Sequence, residues 1–250
     1  MELRNLEEVR HATAALATGN GEALDRLVWT GVFAAPELRD AARAAVLAQA
    51  RSAGIYPASI QGLYAARGRR ELPPGFTVPA INIRAMAYDS VRALMRARKA
   101  LDLGAVILEI ARSEVSYTGQ RPAEYTFVGL AAALREGVTG PLFVQGDHFQ
   151  VNAKKYAGDP AGELQAVRDL AREAVAAGFY NIDIDTSTLV DLSKATLEEQ
   201  QRTNFELAAS FAKFIREHQP AGVTVSIGGE IGEVGGKNSD VHELRAFMHG

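Results

Sequence analysis

From residue 73 onwards, short apolar segments alternate with longer amphipathic segments, and no other feature of the sequence limits the possible folds as much. The apolar segments are nearly continuous, which is typical of strands that are buried on both faces of a parallel sheet. The longer segments repeat their apolar residues at the spacing of a helix. The alternation therefore predicts an α/β fold in which helices cover a parallel sheet. Strands are predicted at residues 76–83, 105–110, 141–144, 181–184 and 223–227, and helices at residues 88–101, 123–136, 162–177, 196–218 and from 239 onwards.

The number of strand–helix units indicates part of a barrel. Five units occupy residues 76–250, about 35 residues each, whereas a TIM barrel contains eight units. We expect a TIM (β/α)8-type barrel that is truncated after its fifth βα unit, because the last helix carries no signal that would end it at Gly250. An open five-stranded α/β sheet is the alternative.

Residues 1–72 differ in character from the rest of the chain. They are rich in Ala, Leu, Glu and Arg, which favour helices, and Pro36 begins an Ala-rich helix that Gly54 ends. A second helical segment follows at residues 59–69. We therefore predict two domains, an N-terminal helical extension over residues 1–72 and a (β/α) barrel portion over residues 73–250.

Composition excludes several classes of function. The formal net charge is −3, so we expect no general attraction to nucleic acid or to an anionic membrane. No apolar stretch reaches the roughly 18 residues that span a bilayer, and the N-terminus lacks the apolar core of a signal peptide. The chain has no cysteine, which excludes disulfides and thiolate metal sites and fits a cytoplasmic protein. A metal would be held by His, Asp, Glu or carbonyl oxygen, which favours zinc, magnesium or manganese.

A carboxylate and an imidazole follow the predicted strand at residues 141–144. Gly146 leads directly into Asp147-His148, and α/β barrels place their chemistry at the carboxyl ends of their strands. His148 suits a zinc ligand, which leaves Asp147 as a proton donor or acceptor. Gly146 has no Cβ and would allow a ligand to approach the backbone closely. The alternative is that His148 only bonds a neighbouring loop.

Two later strands also end in carboxylates. Asp183 and Asp185 lie two residues apart and therefore point to the same side of their strand, which is costly unless they pair or bind a cation. Asp185 lies nearer the carboxyl end and is the stronger functional candidate, whereas a structural role is preferred for Asp183. Glu230 directly follows Gly228-Gly229 and suits a metal or a substrate hydroxyl.

Three further residues are candidates for binding substrate. Gly235 and Gly236 belong to a glycine-rich loop whose backbone amides are suited to cradle a phosphate. Asn82, at the end of the first predicted strand, is expected either to hydrogen-bond substrate or to hold the loop of Asp147.

Taken together, these motifs resemble those of the class II, metal-dependent fructose- and tagatose-bisphosphate aldolases. They occur in the family's order between residues 60 and 240. The matching segments are Val78-Pro79-Ala80-Ile81-Asn82-Ile83, Asp147-His148, Gly178-Phe179, Ile184-Asp185-Thr186-Ser187, and Glu230-Ile231-Gly232 before Gly235-Gly236. The resemblance implies a TIM barrel that reversibly breaks the C3–C4 bond of a ketose phosphate such as fructose 1,6-bisphosphate, giving dihydroxyacetone phosphate and an aldehyde.

The resemblance also implies roles for individual residues. The family's catalytic acid/base falls on Asp147, and its first zinc-ligating histidine falls on His148. The carboxylates associated with a second metal position fall on Asp185 and Glu230. The implied cofactor is Zn²⁺, with a further divalent cation at the second position. We also expect a homo-oligomer, either a dimer or a tetramer.

The sequence departs from the family's pattern at two places. Gln145 replaces the usual histidine two positions before the catalytic Asp, and Lys237-Asn238 replaces the acidic residue that often follows the double glycine. The two further zinc histidines belong to family strands beyond the fifth, and a single histidine is too few for a tight catalytic zinc site. We therefore predict that the chain is partial. The alternatives are a non-catalytic barrel subunit that stabilises an aldolase partner, and another metal-dependent isomerase or epimerase of phosphosugars.

Overall fold

One parallel sheet of six strands organises the fold in the computed structural model, which describes residues 2–232 and 238–250. Strands β2 to β6 lie side by side in chain order and are parallel, and β1 pairs with β4. The predicted α/β fold with a parallel sheet is therefore confirmed, and the strand order is compatible with a TIM-like barrel. The strands are β1 (Ile55–Ala58), β2 (Ala80–Asn82), β3 (Ile107–Ala111), β4 (Gly140–Gln150), β5 (Asn181–Asp185) and β6 (Ser226–Gly229).

Eleven α-helices lie within the described residues, together with a short 3₁₀ turn at Ser187–Leu189. The longest helix begins with a capping box, in which Thr196 and Glu199 bond each other's backbone amides. The helices are α1 (Leu6–Ala17), α2 (Gly21–Phe33), α3 (Pro36–Ser52), α4 (Gln61–Gly68), α5 (Ala87–Ala100), α6 (Arg112–Thr118), α7 (Pro122–Arg135), α8 (Ala153–Gly158), α9 (Pro160–Ala176), α10 (Leu197–His218) and α11 (Val241–His249). None of these helices is long and apolar enough to cross a membrane.

Helix α7 joins the N-terminal helices to the sheet. Ten of its fourteen residues are buried, because α2, α3 and α5 as well as β1 and β4 pack against it. Gly129 lets α7 approach the sheet closely, since a Cβ there would lie 3.2 Å from Leu142 and 3.3 Å from Leu108. The buried apolar residues from Leu3 to Val225 form one core. The boundary predicted at residue 72 stays a prediction, but the two regions share this core.

The N-terminal extension is not wholly helical, because residues 55–58 form strand β1. This strand pairs with the first four residues of β4, and β5 pairs with β4 from Gln145 onwards. Asn181 links the two: its Nδ2 donates to the carbonyls of Ala58 (3.1 Å) and Val144 (3.0 Å), and its Oδ1 accepts from the amide of Ile60 (2.8 Å). One buried amide side chain thus attaches the extension to the sheet.

Replacing Asn181 by Ala should lower the free energy of unfolding by about 2–4 kcal/mol, because three buried backbone groups lose their partner. Urea denaturation followed by circular dichroism measures this change. The exposed Asn238 provides the matched control, and Asn238→Ala should change stability by less than about 0.5 kcal/mol. Equal effects of the two substitutions would contradict the linking role of Asn181.

Candidate functional site

A row of polar residues crosses the sheet, from the carboxyl end of β2 to the amino ends of β5 and β6. In the strand register, Asn82 of β2 is the partner of Glu109 of β3, which is the partner of Gln145 of β4. The row continues through Asn181 of β5 to Ser226 of β6. The Nε2 atom of Gln145 donates to Oε1 of Glu109 at 2.5 Å. We call the five residues of this row the floor of the site.

Asp147 and His148 lie inside β4, which corrects the expectation that the strand ends before them. Between the pairs Gly146–Ile182 and Phe149–Ile184, β4 advances by three residues while β5 advances by two, so β4 contains a bulge of one extra residue. His148 takes a positive φ of 41° in this bulge. As a result, two adjacent side chains face the same side of the sheet, although successive strand residues normally alternate.

The bulge also gives Gly146 a role that differs from the predicted one. A Cβ on Gly146 would lie 2.5 Å from the ring of Phe149, which is completely buried. The predicted close approach is therefore made by a core aromatic ring from the same strand. Because Gly146 has no Cβ, the ring of Phe149 packs directly against the backbone of the bulge.

His148 lies among three aspartates. Its Nδ1 is 3.2 Å from Oδ2 of Asp185 and 4.0 Å from Oδ2 of Asp183, and its Nε2 is 3.7 Å from Oδ1 of Asp147. Burial lowers the pKa of His148. The negative charge of Asp147, the hydrogen bond with Asp185 and the charge of Asp183 raise this pKa by more than burial lowers it, so the net shift is upward. A cationic imidazole is thus favoured when nothing else neutralises these acids.

Asp183 and Glu230 are held close to other carboxylates. Burial raises the pKa of Asp183 to about 6, with Glu230, Asp185 and Asp147 adding to the rise. Burial also raises the pKa of Glu230, and the charges of Asp185 and Asp147 add to this shift. Gly228 makes room for Asp183, since a Cβ there would lie 2.7 Å from Oδ1 of Asp183. The site therefore concentrates negative charge that the described side chains do not fully neutralise.

Asp185 is completely buried, and its oxygens are already bonded. Its Oδ1 accepts from the amide and the hydroxyl of Ser187, and its Oδ2 accepts from Nε2 of Gln150 at 2.5 Å and contacts His148. These contacts suit an orienting role, in which Asp185 holds the Nδ1 side of the imidazole and Nε2 faces Asp147. The prediction that Asp185 itself is a metal ligand stays a prediction.

Asn82 bonds the carboxylate oxygen of Asp147 that does not face His148. The Nδ2 atom of Asn82 donates to Oδ2 of Asp147 at 2.8 Å and to Oε2 of Glu114 at 3.2 Å. This contact fits the expectation that Asn82 holds the segment of Asp147, and the prediction that Asn82 binds substrate stays a prediction. Glu114 lies at the start of α6, is buried, and also pairs with Arg84.

The residues suited to hold a metal form a compact group. One ligand atom from each of Asp147, His148 and Asp183 lies within 4.8 Å of the others. One imidazole nitrogen and carboxylate oxygens are a donor set that fits zinc or manganese. A carboxylate on the far nitrogen of the histidine is the usual partner of such a ligand, which supports the fit.

The structure brings together five of the seven predicted site residues. They are Asn82, Asp147, His148, Asp185 and Glu230, whereas Gly235 and Gly236 lie outside the described residues. Asp183, for which a structural role was preferred, belongs to the group suited to hold a metal. The sequence assigned no role to Glu109 or Glu114, whose carboxylates lie beside the site. Glu109 is a lone charged residue in an otherwise apolar strand, and this signal was available in the sequence.

Replacing Gly146 by Ala should lower the free energy of unfolding by about 1–3 kcal/mol, because the new methyl group overlaps the ring of Phe149. Phe149→Leu should reduce this loss in a double-mutant cycle measured by urea denaturation. Gly104→Ala is the matched control, since a Cβ there meets no atom within 4 Å. A loss of the same size in both Phe149 backgrounds would contradict the proposed contact.

Replacing Glu109 by Gln should stabilise the metal-free protein at pH 8 by about 1–3 kcal/mol, and this gain should shrink toward pH 5. Burial raises the pKa of Glu109 to about 7, and the charges of Asp147 and Asp183 add to the rise. The folded state therefore binds its proton more tightly than the unfolded state, so stability falls as pH rises through 7. Urea denaturation with a chelator measures the effect, and the exposed Glu206→Gln is the control. A gain that does not depend on pH would contradict the assignment.

One family model matches most of the chain. The family model described as fructose-bisphosphate aldolase class-II matches residues 73–248, which include β2 to β6 and all the candidate site residues. No curated protein matches the chain. Since the family model covers well over half of the sequence, the chain belongs to the class II fructose-bisphosphate aldolase family.

Proposed function

We propose that this chain is a zinc-dependent aldolase, a lyase that reversibly cleaves the C3–C4 bond of a ketose bisphosphate such as fructose 1,6-bisphosphate. The products would be dihydroxyacetone phosphate and an aldehyde. The observation that carries this proposal is the convergence of Asp147, His148 and Asp183 at the carboxyl ends of β4 and β5 in a member of this family. We also propose that the six-stranded sheet belongs to a TIM-type barrel.

His148 and Asp183 are the residues proposed to hold the cation. Asp185 orients the imidazole through Nδ1, so that Nε2 faces the side of Asp147. When bound, a divalent cation supplies a Lewis acid that polarises the ketone of the substrate. The second cation predicted at Asp185 and Glu230 remains part of the proposal.

Asp147 is the proposed proton-transfer group. In cleavage, its carboxylate takes the proton of the C4 hydroxyl as the C3–C4 bond breaks, and in condensation it returns the proton to the aldehyde-derived oxygen. Asn82 fixes the carboxylate by donating to Oδ2, which leaves Oδ1 toward His148. The other end of the Asn82 amide, its Oδ1, is available to accept from a substrate hydroxyl.

The proposed substrate is a sugar phosphate. A sugar phosphate fits the family, and Gly235 and Gly236 are proposed to contact one phosphate through their amides. The lack of cysteine supports a cytoplasmic location. A homo-oligomer, dimer or tetramer, is also proposed.

The test is the cleavage of fructose 1,6-bisphosphate and of its C4 epimer, tagatose 1,6-bisphosphate, by the zinc-loaded protein. Dihydroxyacetone phosphate is followed by its reduction in a coupled assay. We expect turnover that a chelator abolishes and zinc restores. Asp147→Asn should lower kcat by roughly 10²- to 10⁴-fold while zinc stays bound, whereas His148→Ala and Asp183→Asn should lose both zinc and activity.

The exposed His11 lies in α1, and His11→Ala is the control for the histidine substitution. The absence of turnover of both bisphosphates by a protein that retains stoichiometric zinc would overturn the proposed activity. The same result, together with stimulation of a separate aldolase by this chain, would instead support the non-catalytic subunit.

A further inference from the structure

We propose that Glu114 is a positioning residue, which sets the orientation of the Asn82 amide and through it the position of the Asp147 carboxylate. This inference rests on the proposed function in one respect only, namely that Asp147 is the group whose position matters for turnover. The contacts among the three side chains do not depend on that function.

Glu114 points back toward the site because of its place in α6. It is the third residue of a helix that begins directly after β3, and its Oε2 accepts from the amide of Ala111 at 2.8 Å. This bond caps the helix and directs the carboxylate toward the carboxyl ends of β2 and β3. The side chain is buried, so it has few alternative positions.

Asn82 lies between two carboxylates, and this fixes which end of its amide faces them. Its Nδ2 carries two hydrogens, one directed to Oε2 of Glu114 (3.2 Å) and the other to Oδ2 of Asp147 (2.8 Å). Ionised carboxylates only accept hydrogen bonds, so a rotated amide would place Oδ1 against two acceptors. Glu114 thus keeps the donor toward Asp147 and the acceptor free for substrate.

This orientation of the Asn82 amide requires an ionised Glu114, and the groups around Glu114 favour its ionised form. Burial raises the pKa of Glu114, but the amide of Ala111, the side chain of Asn82 and the guanidinium of Arg84 lower it more, so the net shift is downward. Arg84 bonds Oε1 through Nε, while Oε2 receives the two neutral donors. A chain of four side chains, Arg84, Glu114, Asn82 and Asp147, therefore runs from an exposed cation to the candidate acid/base.

Glutamine at position 114 preserves the shape but not the pattern of donors and acceptors. Its NH₂ group must face either Arg84 or the pair of donors from Ala111 and Asn82, so one donor always meets another donor.

With Glu114→Gln we expect kcat for fructose 1,6-bisphosphate cleavage to fall roughly 10- to 100-fold. Zinc affinity should stay within about twofold, because His148 and Asp183 do not contact Glu114. Adding Glu114→Gln to Asn82→Ala should lower kcat no further, since Glu114 acts through Asn82.

Glu199 is the matched control. It occupies the same third position in the capping box of α10 but lies outside the site, so Glu199→Gln should leave kcat and KM unchanged. Independent, additive losses of kcat for Glu114→Gln and Asn82→Ala would overturn the proposal.

A second measurement does not need turnover. The side-chain amide protons of Asn82, identified by their loss in Asn82→Ala, should exchange slowly in the native protein and much faster in Glu114→Gln. Unchanged exchange and chemical shift in Glu114→Gln would overturn the proposal whether or not the protein is an aldolase. If the native protein cleaves no bisphosphate, the proposed function fails, and the amide exchange still decides the role of Glu114.

Discussion

The candidate site depends on the single extra residue in β4. A regular strand would direct Asp147 and His148 to opposite faces of the sheet, so only one of them would reach the site. The bulge turns both inward, and it requires a positive φ at His148, which is unfavourable for a residue with a Cβ. Two contacts offset this strain: the Phe149 ring packs over Gly146, and the His148 ring bonds Asp185. Core packing on one face of β4 thus maintains the arrangement of polar groups on the other face.

The same arrangement makes the site unfavourable for folding in the absence of a cation. Glu109, Asp183 and Glu230 all have raised pKa values, so ionising them in the folded protein opposes folding. The imidazole of His148 offsets only part of this repulsion. Sites that bind and react commonly retain such unfavourable charge because the ligand, when it binds, relieves it. The acidic cluster is therefore better explained by a bound cation than by a structural requirement.

The sequence predicted β2 to β6 because their apolar runs are separated by clearly amphipathic helices. It missed β1, which has only four residues and includes Pro57, so it carries no periodic signal. It also ended β4 at Val144, since Gly146-Asp147-His148 has the composition of a loop and a bulge breaks the alternation that identifies a strand. Asp183 was ranked below Asp185 because Asp185 lies nearer the carboxyl end of β5. Only the fold shows that Ser187 and Gln150 occupy the oxygens of Asp185.

The floor of the site explains how a glutamine can stand where the family usually has a histidine. Gln145 donates to Glu109, Asn82 donates to Asp147 and Glu114, and Asn181 bonds the neighbouring backbone. These amides satisfy carboxylates and carbonyls without adding positive charge. A second imidazole at position 145 could take up a proton from the adjacent acids and would then neutralise part of the charge that attracts a cation. Because the donors of this row are neutral and Arg84 is exposed, the negative charge stays concentrated around the imidazole of His148.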